Sequence, residues 1–302
     1  MLYIKNVEIR NFKSIKDIEF SAKRVNVFIG YANTGKSNIL KAIDFTISDK
    51  ADFEYTFYNQ DFKNAIHIKL INNEGKEFIF ETSEDSRINI KFDTEIHNLV
   101  YEFPSKYREQ KQKAIKNAIK DFPIKLYQHS YNSYDILARI LAENPNLVKI
   151  INNILEEQNL KLYLIVNRQY GEYHIEVLKE IYEDAYIHFR YYHLPENLFR
   201  FIFYLCAIKS NSNSILLLDD VYFHPVHSKL IGETIALDET NQFFITTSDA
   251  YLLNSIVEKT NKNDLNVFNV YYEKGNNETK IKQIDVNDIL RIGAFNIFFN
   301  LD

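Results

Sequence analysis

Two short stretches carry most of the chain's chemistry. The first, Gly30-Tyr31-Ala32-Asn33-Thr34-Gly35-Lys36-Ser37, has the spacing G-x-x-x-x-G-K-[ST]. A loop of this kind points successive backbone N–H groups at one place and sets a lysine beside them, so phosphate suits it. In this reading Gly30, Asn33, Thr34, Gly35, Lys36, Ser37 and Asn38 cradle a nucleotide's phosphates. Lys36 reaches the β- and γ-phosphates, and Ser37 offers its hydroxyl to Mg2+. The chain has only seven glycines, and two of them fill the motif's obligatory positions. The second stretch, Ser214-Ile215-Leu216-Leu217-Leu218-Asp219-Asp220, ends an apolar run in two carboxylates. Ligands of open α/β sheets bind outside such strand ends. Asp219 suits Mg2+ held through water, and Asp220 suits orienting or deprotonating an attacking water.

A phosphate loop needs a strand before it and a helix after it. Val25-Asn26-Val27-Phe28-Ile29 reads as a buried strand, and Ile39, Leu40, Ile43 and Phe45 give the helical stripe. The carboxylate pair needs a fully buried strand, which Ile215–Leu218 supplies. Gln242–Thr247 predicts another buried strand, followed by Ser248-Asp249 and a helix through Tyr251, Leu252, Ile256 and Val257.

A hairpin, Leu2–Arg10 and Ile15–Phe20, precedes the loop's strand, with Phe12-Lys13-Ser14 at its turn. Further strands are predicted at His67–Ile71, Glu77–Glu81, Ile88–Phe92 and Leu99–Phe103, an antiparallel layer beside the nucleotide-binding sheet. A helical, lysine-rich stretch lies between Pro104 and Pro123. Lys113, Lys116 and Lys120 share one face there, with Lys106, Arg108 and Lys111 nearby. A solvated face and a phosphate-backbone contact both account for it. After a short strand, Ile124–Gln128, two helical stripes are separated by Pro145. Strands at Leu160–Val166 and Tyr173–Val177, joined through Gly171, follow, then a loop over Tyr191–Asn197. That loop opens a helix, Leu198 to Ile208, apolar nearly all round and therefore buried. Strands at Leu265–Tyr272 and Lys280–Ile284 and a helix from about Val286 complete the pattern.

The 302 residues are 46% hydrophobic and 25% charged, which bounds a globular protein with a sizeable core. No run is long and apolar enough to span a membrane, and residues 1–20 carry Lys and Glu throughout without an apolar signal core, so a cytoplasmic protein is expected. The net charge of −5 argues against a generally basic nucleic-acid coat. The one cysteine, Cys206, excludes an internal disulfide and a cysteine metal cluster. Its apolar neighbours make it a small buried hydrophobe.

The ordered parts together resemble an ABC-type ATPase head of the RecF/SMC/overcoming-lysogenisation group. The matching pieces are Arg10-Asn11-Phe12-Lys13-Ser14-Ile15, Gly30 to Leu40, Leu216 to Pro225, and Thr246-Thr247-Ser248-Asp249-Ala250-Tyr251-Leu252-Leu253. The resemblance implies an α/β P-loop NTPase head with an antiparallel β layer and a helical second lobe. One ATPase domain would span residues 1–302, with lobe I at 1–130 and 210–302 and lobe II at 131–209. It also implies ATP and Mg2+ as ligands and two heads closing on two nucleotides. The second head would be another copy or a partner ATPase. DNA or a nuclease are further partners of such heads, a membrane is not, and any nuclease activity is expected from a separate protein.

The resemblance assigns roles to residues and also exposes departures. Gln128 matches the Q-loop glutamine that senses Mg2+ and γ-phosphate, with Gln110 a competing choice and a plain surface glutamine a third. Leu194-Pro195-Glu196-Asn197-Leu198-Phe199-Arg200 aligns with the signature loop, where Asn197 and Arg200 stand, but lacks its Ser and Gly. Ser248, beside Asp249, occupies the place of the switch histidine, and Asp220 replaces the usual Glu. His224 before Pro225 resembles the D-loop His-Pro. Nucleotide binding is therefore better supported than fast hydrolysis. Two readings follow: a slow ATPase acting as a nucleotide-controlled switch in DNA repair, maintenance or defence, and a degenerate ATP-binding module with little turnover. A P-loop kinase is disfavoured by the hairpin ahead of the loop and by the late carboxylate strand.

Overall fold

The computed structural model describes residues 2–48, 65–83, 87–100, 104–129, 133–156, 159–167, 172–182, 185–190 and 194–299. In chain order the first half holds β1 (Ile4–Phe12), β2 (Ile15–Ser21), β3 (Val25–Ile29), α1 (Lys36–Ile47), β4 (His67–Asn72), β5 (Glu77–Thr82), β6 (Arg87–Phe92), β7 (Glu95–Val100), α2 (Pro104–Ile115), α3 (Ala118–Asp121), β8 (Ile124–Gln128), α4 (Ser133–Glu143) and α5 (Pro145–Leu155). The second half holds β9 (Leu160–Asn167), β10 (Glu172–Tyr182), β11 (Ala185–Arg190), α6 (Glu196–Lys209), β12 (Ile215–Asp219), α7 (Pro225–Leu237), β13 (Gln242–Thr247), α8 (Ala250–Lys259), β14 (Leu265–Glu273), β15 (Glu278–Ile284), α9 (Val286–Ile292) and α10 (Ala294–Phe299). Gly171, Tyr191–His193 and the last three residues of the expected strand Leu99–Phe103 lie outside the described residues.

The chain divides into two compact units. One comprises Met1–Leu126, Asn213–Tyr222 and Gly232–Asp302; the other comprises Tyr127–Ser212 and Phe223–Ile231. Among the described residues, twelve strands form one sheet in the order β7-β6-β5-β4-β1-β2-β15-β14-β3-β13-β12-β8. Its two halves obey different rules. β12, β13, β3 and β14 pair in parallel, and β3, β12 and β13 are buried along their whole length, as strands covered on both faces must be. From β2 outward to β7 the pairing is antiparallel. There β4 and β5 alternate buried with half-buried positions. The two halves meet at one ladder pair, Ile15 opposite Thr279.

A phenylalanine core fills the first unit. Phe28 stacks on Phe268 at 5.3 Å, Phe20 lies 5.2 Å from Phe268, and Phe45 meets Phe80 edge-on at 5.1 Å. Two expectations are corrected here. The fourth outer strand begins at Glu95, four positions earlier than Leu99, because Asp93 adopts a positive φ of 53° and closes a two-residue hairpin. Lys111 does not share the solvated face of Lys113. It is fully buried, its ammonium donating to Phe45 O at 2.5 Å and lying 4.4 Å above the Phe45 ring.

In the second unit β9, β10 and β11 form an antiparallel sheet. Pro145 opens α5 as expected. α6 is buried on every side from Phe201 to Ile208, with Cys206 fully inside.

Candidate functional site

The parallel strands set the site, because β3, β12 and β13 end side by side. After β3 the chain turns sharply at Gly30, φ 153°, where a Cβ would meet Val270 O at 2.2 Å. Gly35, φ 95°, caps α1, and a Cβ there would meet Thr279 Oγ1 at 2.1 Å. Both glycines are thus required by close approach as well as by φ. Between them Tyr31, Ala32 and Asn33 are exposed, Asn33 at φ 62°, while Thr34 is buried and donates to Tyr31 O at 3.0 Å. Lys36, Ser37 and Asn38 form the first turn of α1; Asn38 N donates to Gly35 O at 3.0 Å, and the N–H groups ahead of it have no partner within the helix. No acidic residue lies in that turn, so its positive end is left for an anion.

The Lys36 ammonium folds back on its own loop, donating to Gly30 O at 2.8 Å and Tyr31 O at 2.7 Å. Burial lowers its pKa, and the nearby carboxylates of Asp220 and Asp219 oppose that shift. The two sequence stretches are therefore brought together in space: the lysine of the first feels the carboxylates of the second.

Asp219 is fully buried at the end of β12 and accepts from Thr246 Oγ1 at 2.7 Å. The same hydroxyl accepts from Asp220 N at 2.7 Å. Thr247 Oγ1 in turn donates to Val221 O at 2.5 Å. Two threonines at the end of β13 thus clamp the carboxylate turn. The sequence showed the Thr-Thr pair but not this role. Asp220 is exposed at φ 56°, a left-handed position that a short polar side chain tolerates.

Ser248 is exposed just past β13. Asp249 caps α8, accepting from Tyr251 N at 2.9 Å and Leu252 N at 3.2 Å. Gln110 is half-buried on α2. A cavity of about 900 Å³ opens beside the loop, lined by Tyr31, Asn33, Tyr271, Tyr272, Lys274 and Lys282 among others. The phosphate-loop motif marks one wall of it, Tyr31 to Thr34, and no motif marked the wall from β14 and β15.

Gln128, Asn197 and Arg200 belong to the second unit. Gln128 is half-buried at the end of β8, and its carbonyl accepts from Ser133 Oγ at 3.3 Å. Pro195 is the N-cap of α6, and Asn197 lies exposed in the helix's first turn. Arg200 is buried and donates to Glu196 Oε1 at 2.8 Å, which lowers the Glu196 pKa.

The donor set fits a nucleotide with a hard cation. Backbone amides and an ammonium suit phosphates, and a hydroxyl and a buried carboxylate suit an oxygen-liganded ion such as Mg2+. Among the described residues there is no group of three His, Cys, Asp or Glu able to hold a metal alone.

Comparison with known proteins places this fold. A solved SMC head bound to the C-winged helix domain of ScpA aligns with TM-score 0.61 at 16% identity, over 96% of this chain and all of that one. The structure of RecF with ATP, from the RecFOR pathway, aligns with TM-score 0.55 at 15% identity, over 94% of this chain and 99% of that one. The SMC head domain of Thermotoga maritima aligns with TM-score 0.54 at 12% identity, over 93% and 98%. The chain has the fold of an ABC-type ATPase head, shared with SMC heads and RecF. More particularly, residues 2–120 match a family described as a protein of unknown function, DUF2813. A structural maintenance of chromosomes protein 3 homolog of Plasmodium falciparum is 29% identical over 96 residues, 30% of this chain and 8% of that protein. The match thus spans less than a tenth of that relative's length.

Proposed function

We propose that the chain is an ATP-binding head that closes with a second head around nucleotide, turns it over slowly and passes the closure to a partner. The observation that carries this reading is the convergence of Lys36, Asp219 and Asp220 on one loop at a helix N-terminus. The amides from Gly30 to Asn38 would bind the phosphates, and Lys36 would exchange the carbonyls of Gly30 and Tyr31 for the β- and γ-phosphates. Ser37 and Asp219 would hold Mg2+, and Gln128 would be the Q-loop glutamine that the sequence resemblance implies. Bound there, the ion would neutralise charge developing on the transferred phosphoryl group. Asp220 would orient water. Asn197 and Arg200 would stand at the signature loop offered to another head, and Ser248 with Asp249 at the switch position. Residues 1–302 would act as one head.

The SMC head above is bound to a winged-helix domain and the RecF structure contains ATP. By analogy this chain would take ATP and a protein partner, with DNA or a nuclease downstream. Among the described residues no helix is long and apolar enough to cross a membrane. Calorimetric titration with ATP·Mg2+ tests the reading. Wild type should bind and Lys36→Ala should not, with the fold unchanged by circular dichroism. No heat and no competition by wild type at millimolar ATP would refute it.

A further inference from the structure

One chain of hydrogen bonds reaches the phosphate loop from outside its motif. Asn38 Nδ2 donates to Ser14 Oγ at 2.7 Å, and Ser14 Oγ lies 2.7 Å from Thr279 Oγ1. Thr279 Oγ1 donates to Thr34 O at 2.9 Å. The direction of each bond is fixed by its ends. The amide of Asn38 can only donate through nitrogen and the carbonyl of Thr34 can only accept. Thr279 therefore gives its single hydroxyl proton to Thr34 O, and Ser14 gives its proton to Thr279. The relay joins three elements: the first turn of α1, the β1–β2 turn, and the second residue of β15.

Its position is informative. Thr279 is fully buried, and its N–H donates to Ser14 O at 2.7 Å. It is also the residue through which β15 meets β2, at the only ladder pair between those two strands among the described residues. A Cβ on Gly35 would lie 2.1 Å from Thr279 Oγ1 and 2.9 Å from Ser14 Oγ, so the loop's second glycine packs directly on the relay. The end of the relay falls on the peptide that enters Gly35. That peptide is planar and trans, so its C=O and N–H point in opposite directions. Holding Thr34 C=O back toward Thr279 aims Gly35 N–H the other way, into the loop.

We propose that Thr279, seconded by Ser14, is a positioning residue that pre-sets the Gly35 amide for phosphate. The proposal rests on the phosphate-loop reading above and adds a cause for the loop's geometry that lies far from the motif in sequence. Without the hydroxyl, the Thr34–Gly35 peptide is free to rotate, and phosphate must order it on binding, which lowers affinity.

Thr279→Val keeps the shape and removes the hydroxyl, whereas Thr279→Ser keeps the hydroxyl. Affinity for ATP·Mg2+ is measured by calorimetry alongside the nucleotide-free melting temperature. A 15N-glycine amide spectrum, read on a protein with seven glycines, follows Gly35 directly. Thr279→Val should weaken binding by about tenfold, the scale of one lost hydrogen bond, and move the Gly35 resonance. Thr279→Ser should restore both. Ser14→Ala, at a half-buried position, should weaken binding in the same sense and serves if Thr279→Val does not fold. Equal binding by wild type, Thr279→Val and Ser14→Ala would overturn the proposal. So would a Thr279→Ser protein as weak as Thr279→Val, since packing would then be the cause. If wild type itself does not bind ATP·Mg2+, the phosphate-loop reading falls first and this inference with it.

Discussion

In the proposed function Lys36 and Asp220 would divide the chemistry of the site between binding and turnover. Burial lowers the Lys36 pKa, against the pull of the Asp220 and Asp219 carboxylates. Loss of the proton removes the attraction for phosphate, so affinity for ATP·Mg2+ should fall with rising pH earlier in the alkaline range than for an ordinary lysine. Titrations across that range test this, with Lys36→Arg as the control that stays charged. Asp220 is shorter than the Glu of related heads by one methylene. Its carboxylate sits about one C–C bond further back, a displacement that can cost on the order of a hundredfold in rate. Slow hydrolysis abolished in Asp220→Asn is the expected result of a phosphate-release assay. Turnover surviving in that variant would mean another base is used. Cys206 gives a contrasting residue-scale prediction. Burial pushes its thiol up to about 12, so iodoacetamide at pH 8 should leave it unmodified in the folded protein and label it on denaturation.

The elements show what was legible in the sequence and what was not. Local signals were strong where one rule dominated. The glycines and lysine of the loop, the Ile215–Leu218 run, the all-round apolar α6 and the Pro145 break all appear where the pattern placed them. What local pattern could not show was partnership across the chain. Lys111 reads as one more lysine of a solvated helix, yet Phe45 and Phe80, distant in sequence, make a cation site for it. β15 begins at Glu278, before the expected Lys280, and the two residues so missed include Thr279. The Asp93 turn was missed because its signal is one left-handed aspartate without the usual glycine. Two stability tests follow. Lys111→Ala should cost more than about 2 kcal/mol in urea unfolding, since it empties a packed site and orphans Phe45 O, whereas Lys113→Ala should stay within about 0.5. Asp249→Ala should cost about 1 kcal/mol by loss of the α8 cap. A much smaller effect would mean that the Asp249 cap contributes little to the stability of α8.

At the scale of the whole molecule the question is how two heads would meet, and α6 supplies the argument. In the two-head closure that the sequence resemblance implies, the signature loop would be offered to the γ-phosphate on the opposite subunit. A helix N-terminus suits that task through its dipole and free N–H groups. Here the first turn of α6 begins Pro195-Glu196-Asn197. Proline has no N–H to give. Glu196 is exposed, and the Arg200 guanidinium beside it holds its carboxyl below the usual range, so it is anionic at neutral pH and repels phosphate. Asn197 alone offers a neutral donor. A head built this way should be monomeric without nucleotide and dimerise weakly with ATP. Light scattering on Asp220→Asn, chosen to hold ATP unhydrolysed under the proposed function, should show a mass that rises toward twice the monomer only with ATP·Mg2+. Adding Glu196→Gln should tighten that dimer by removing the repulsion, and Asn197→Arg should abolish it by bulk. If the mass stays monomeric at high concentration in all three proteins, the self-pairing reading fails, and the loop must instead be supplied by a different ATPase. If Glu196→Gln loosens the dimer, the carboxylate is making a contact across the interface, and Arg200 is not its only partner in the closed state.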